Sequence, residues 1–115
     1  MLLLSMASAW HWTQRADCTA QNMSVAYWQL ARVYALLKQA DNARRYGELS
    51  LEKSKSEGIP PFYLGYAHEA LARAEMVAGN KKKVAEYLAE ARRAAERVTD
   101  AEAKKMLLAD LETIK

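Results

Sequence analysis

Residues 22–56, NMSVAYWQLARVYALLKQADNARRYGELSLEKSKS, decide how the rest of the chain is read. In their first half Met23, Ala26, Tyr27, Leu30, Ala31, Tyr34 and Leu37 recur at steps of three and four, with no Gly or Pro between them. That spacing lines seven side chains along one stripe of an α-helix. Asn22, whose side-chain carbonyl can accept from the unpaired amides of a first turn, is the expected N-cap. After Gln39 and Ala40 a second helix is expected, capped by Asp41 or Asn42, with Ala43, Tyr46, Gly47, Ser50 and Ser54 on one face. So short a connection makes the two helices antiparallel neighbours, and the small Ala43, Gly47 and Ser50 are expected to admit Tyr34 or Leu37 at close range.

Moved 41 positions along the chain, the same pattern returns. Ala26, Leu30, Ala31 and Arg32 fall on Ala67, Leu71, Ala72 and Arg73, Tyr46 on Tyr87, and Met23 and Leu37 on Leu64 and Ala78. Moved back, Ala43, Gly47 and Ser50 fall on Leu2, Met6 and Ala9, so residues 1–18 read as the second half of a repeat. Self-similarity at a period of roughly 20–50 residues marks a helical array in which each hairpin buries its face against the next. The chain of 115 residues is expected to form one all-α domain: a half-repeat at 1–18, hairpins at 22–57 and 61–98, and a capping helix at 100–114.

Between the hairpins, Gly58, Pro60 and Pro61 punctuate the chain, closing one helix and fixing the start of the next. Gly79 and Asn80 end the fourth helix and cap the fifth, where Val84, Tyr87, Leu88, Ala91, Ala95 and Val98 share a side. Thr99 and Glu102 have the spacing of a capping box, so a sixth helix is expected there with Leu107, Leu108, Leu111 and Ile114 apolar. In the first helix Trp10, His11 and Trp12 put aromatic surface on more than one face.

Composition narrows the function classes. The net charge of +3 is a mild excess that solvated Lys and Arg supply, short of the one-sided basic face of a phosphate-backbone reader. The single cysteine, Cys18, forms no internal disulfide and points to a reducing, cytoplasmic setting. Residues 1–9, MLLLSMASA, superficially resemble a secretory signal but lack a basic lead and a long enough apolar run. No stretch approaches the roughly 20 apolar residues of a membrane span. Neither a triad, a phosphate loop nor a carboxylate pair is present in the sequence pattern, so no catalytic residue is expected. His11, His68 and Glu75 lack ligand spacing, so no metal or other cofactor is expected, and His68 and Glu75, two turns apart on one stripe, are expected to form a satisfied polar pair. Lys81, Lys82 and Lys83 sit where a helix N-terminus disfavours cations and are expected to be solvated.

The ordered series Tyr27, Leu30, Ala31, Tyr34, Ala43, Gly47, Ser50, followed by Leu71, Ala72, Gly79, Val84, Leu88, Ala91, resembles the tetratricopeptide repeat family. The resemblance covers most of the chain. It implies a short right-handed array of about six helices, with the first helices of successive hairpins lining a concave face, and a non-enzymatic role in binding a protein or peptide. The positions matching the family's carboxylate clamp hold Trp28, Arg32, Glu69 and Arg73, so that clamp is absent.

On such a face Trp28, Arg32, Leu36, Tyr66, Glu69, Arg73 and Met76 are the candidate partner-binding residues, with aromatic anchors and Arg donors to a carboxylate or carbonyl. The alternative is that Trp28, Tyr66 and Met76 pack against the first or last helix and leave no groove. Leu3, Trp10 and Trp12 are candidates for self-association as a homodimer, since an end repeat with an apolar outer face needs a cover. A small regulatory domain binding nucleic acid through Arg and Lys of the last three helices is the second functional reading, and its affinity would fall steeply with salt.

Overall fold

The computed structural model describes residues 19–114, and there the chain forms five α-helices: α1 (Ala20–Leu36), α2 (Ala40–Ser54), α3 (Pro61–Ala78), α4 (Lys81–Glu96) and α5 (Ala101–Glu112). Among the described residues there is no strand. The leading half-repeat, and Leu3, Trp10 and Trp12 with it, lie outside the described residues.

The residues that precede the helices lie close to the expected caps but differ from them at three of the five starts. Thr19, extended at φ −109° and ψ 162°, caps α1 by accepting from the Asn22 amide at 3.1 Å, so Asn22 is inside the helix and is not its cap. Gln39, with no side-chain cap of its own, precedes α2 in place of Asp41 or Asn42. Asp100, and not Thr99, caps α5, accepting from the amides of Glu102 and Ala103. In each case the cap is the residue just outside the first helical turn, and the stripe begins only where the first buried side chain is needed. Asn80 caps α4 as expected.

The 41-residue period is visible in the backbone. Helices α1 and α3 start at 20 and 61, α2 and α4 at 40 and 81. α1 closes with Lys38 N–H donating to Ala35 O and Gln39 N–H to Tyr34 O, and α3 closes with Gly79 to Met76 O and Asn80 to Glu75 O. Both turns need a left-handed residue, Gly79 at φ 79° in one and Lys38 at φ 60° in the other. Side chains repeat as well: Tyr27 faces Tyr46 and His68 faces Tyr87, each pair with ring centroids 6.2 Å apart.

Packing follows the chain. α1 lies on α2 and α3 on α4; α3 then packs on both α2 and α1, and α5 on both α4 and α3. The buried Ala26 and Leu30 of α1 correspond to Ala67 and Leu71 of α3, and on α5 Leu107 and Leu111 take the same two places in the stripe. Two glycines make the close approaches possible. A methyl group at Gly47 would come within 2.9 Å of Leu71 Cδ2, and one at Gly65 would meet Leu107 Cδ2 closer still. So the side chain admitted by Gly47 is Leu71 of the next hairpin. Tyr34 does pack beside Ala43 and Ala74, but Leu37 is half exposed, because the helix ends before it turns inward. Ser24 and Ser50 hold α1 to α2 by hydrogen bonds, Ser50 Oγ donating to Ser24 O at 2.8 Å.

His68 and Glu75 do not pair. Two turns of helix separate them by about 10 Å, and each finds its partner nearer: His68 Nδ1 is 3.2 Å from Leu64 O, and Glu75 accepts from Arg44 Nε at 2.6 Å.

Candidate functional site

α1 and α3 lie side by side, so their equivalent positions form two adjacent rows. Trp28, Arg32 and Leu36 make one row, a step of four residues each; Glu69, Arg73 and Val77 make the other, with Tyr66 and Met76 beside it. The seven residues singled out from the sequence are therefore brought to one face. What happens to them differs along it, because α5 packs against α3 at one end only.

At that end the face is closed. The Tyr66 hydroxyl donates to Asp110 Oδ2 of α5, while its ring meets Trp28 edge-on at 5.5 Å and Phe62 at 5.0 Å. Burial, and then the bonded carboxylate, push the Tyr66 phenol far above its usual pKa, so it stays a neutral donor. Glu69 is 0% exposed and receives Arg73 Nε at 3.0 Å, and Arg73 Nη2 goes on to Asp110 O at 3.3 Å and Thr113 Oγ1 at 2.8 Å. Arg73 thus neutralises a buried carboxylate and donates to one carbonyl in the last turn of α5 with one guanidinium. Burial raises the Glu69 pKa, and Arg73, Arg32 and the Trp28 indole oppose that rise. Trp28 Nε1 and Glu69 Oε2 are buried without a hydrogen bond of good geometry. Between α5 and the two rows remains a cavity of about 280 Å³, walled by Trp28, Phe62, Tyr63, Tyr66, Met106 and Asp110 among others.

The other end is open. Arg32, Ala35, Leu36, Lys38, Arg73, Met76 and Val77 line a depression of about 480 Å³, in which Leu36 is 65% and Met76 45% exposed. The Arg32 guanidinium lies over the Trp28 ring, 5.4 Å from its centroid, which holds the long side chain along the groove. Among the described residues, no acidic one lines this depression. Arg73 is matched by Glu69, so Arg32 and Lys38 give it a net positive charge.

Of the sequence-predicted contact residues, Arg32, Leu36 and Met76 stand at the open end, Trp28 and Tyr66 are half-buried beneath α5, Arg73 is tied down, and Glu69 is inaccessible. Packing against the last helix, the stated alternative, therefore describes Trp28 and Tyr66 and not Met76. Lys38, Phe62, Met106 and Asp110 were not anticipated. Glu69 and Arg73, four apart with the acid first, carry the i, i+4 signature of a helix ion pair that could have removed both from the contact list. Among the described residues no group of three or more His, Cys, Asp and Glu is placed to hold a metal ion, and no helix is long and apolar enough to cross a membrane. No protein-family model matches the chain, and searches of curated proteins and of solved structures give no match.

Proposed function

We propose that this chain is a non-enzymatic, tetratricopeptide-like repeat module that binds a partner protein, either a peptide segment or a second copy of itself, at the open end of the α1–α3 face. The observation that carries the reading is the exposure of Leu36 and Met76, at the rim of a depression whose unmatched charge is positive. Large apolar side chains rimmed by polar groups are what a partner buries, and Arg32 and Lys38 supply donors to its carbonyls or carboxylates. In this reading the array is right-handed and has about six helices, continued upstream by the half-repeat in residues 1–18. Cys18, the one cysteine, fits a reducing cytoplasm.

The test is selection from a displayed peptide library against the full chain and against a Leu36→Glu, Met76→Glu variant, with particle mass followed by light scattering. Both changes are at the surface and leave the helices intact. The reading expects peptides, or a dimer, that the parent retains and the variant loses by tenfold or more. Equal binding by parent and variant would place the contact elsewhere and overturn it.

A further inference from the structure

The cavity under α5 is walled by aromatic rings set at right angles to one another. Trp28 and Tyr66 meet at 79°, Tyr66 and Phe62 at 73°, Phe62 and Tyr63 at 88°, with centroids 5.0–5.5 Å apart. All four of these rings belong to residues that line the one volume, and Arg32 already lies over the Trp28 ring, 5.4 Å from its centroid. Among the described residues on its wall, Asp110 is the only charged one. Its Oδ2 accepts from Tyr66, and among the described residues its carboxylate forms no ion pair with a cation. Arg73, close by, is directed to the Asp110 backbone carbonyl and to Glu69 instead.

Ring faces attract cations through their quadrupole, and the attraction grows when the cation carries alkyl groups and gives up little hydration. A primary ammonium would have to leave its water for a wall with few acceptors, whereas an alkylated one loses less and gains apolar contact with Met106 and Val25. A neutral apolar guest would use the rings but leave the carboxylate unmatched. We propose that this cavity is a binding site for an alkylated ammonium group, held by Trp28, Phe62, Tyr63 and Tyr66 and neutralised by Asp110. The site is separate from the open end of the groove, and its occupation bridges α1, α3 and α5.

The ammonium chemistry is shared by a free quaternary amine and by a methylated lysine in a peptide. Calorimetric titration of the full chain with choline, with its neutral carbon isostere 3,3-dimethylbutan-1-ol, and with a short trimethyl-lysine peptide distinguishes them. Choline or the peptide is expected to bind about tenfold more tightly than the isostere; the tighter of the two identifies the source. Asp110→Asn, which keeps the acceptor for Tyr66, and Tyr63→Leu, at a half-buried position, should each weaken binding severalfold while the helical circular dichroism stays unchanged. Affinity for the tighter cation no greater than for the isostere, no binding by either cation, or full affinity in Asp110→Asn would overturn the assignment.

Discussion

Arg32 and Arg73 occupy equivalent positions of the two hairpins, yet Arg32 lies over an indole at the open end of the face, while Arg73 is bound to a fully buried carboxylate and to the end of α5. A place in the repeat decides which way a side chain points. What it meets is decided by the next element in the array: α3 has α5 to cover it at one end, and α5 is too short to reach the other.

The sharpest way to break that comparison is to truncate both arginines. Arg73→Ala leaves the Glu69 carboxylate buried without its ion-pair partner and should cost about 3–5 kcal/mol of unfolding free energy at neutral pH, read by urea denaturation. The cost should shrink in acid as Glu69 takes up a proton. Arg32→Ala removes one cation–π contact and should cost about 1 kcal/mol or less. Similar losses for the two variants would mean that α5 does not set them apart. Leu107→Ala, in the notch made by Gly65, should cost about 3 kcal/mol and, with Trp10 and Trp12 replaced by Phe, should shift Trp28 emission to the red. Leu36→Ala should change stability by no more than about 0.5 kcal/mol.

A smaller effect follows pH. His68 stands where the first hairpin has Tyr27, and its pKa is lowered, first by burial and then by Lys55, against the raising effects of Leu64 O and Glu90. A depressed folded-state pKa gives stability that is present above the ordinary imidazole value of 6.5 and is lost as pH falls through the folded value. His68→Phe should flatten the stability profile just below pH 6.5, and an unchanged slope there would exonerate His68. A further contrast lies between the two closing turns. Lys38→Gly relieves a left-handed lysine and should stabilise by about 0.5–1 kcal/mol, while Gly79→Ala should destabilise by about 1 kcal/mol; thermal midpoints would order the three proteins.

Helices, the short connections and the 41-residue spacing were legible because buried Ala26, Leu30, Ala67 and Leu71 recur at helical steps and nothing else competes for those positions. The candidate face was legible for the same reason: residues four apart on neighbouring helices share a side. Its division was not. Gly65 lies off the stripe of its helix, and Leu107, which is seated against it, is 42 positions away. The His68 and Glu75 pairing failed because one-helix periodicity says nothing about Arg44 or Tyr87 on adjacent helices. The cap at Thr19 was displaced because apolar periodicity marks where burial begins, and a helix starts up to a turn before that.

The division of the α1–α3 face is tested most directly by hydroxyl-radical footprinting of the intact chain in dilute solution, comparing Met76 and Leu36 with Tyr66 and Leu107. The structure predicts heavy labelling of the first two and protection of the second two. Protection of Met76 and Leu36 to the level of Leu107 would mean that the end taken to be open is covered, and labelling of Tyr66 to the level of Met76 would mean that α5 does not close the other.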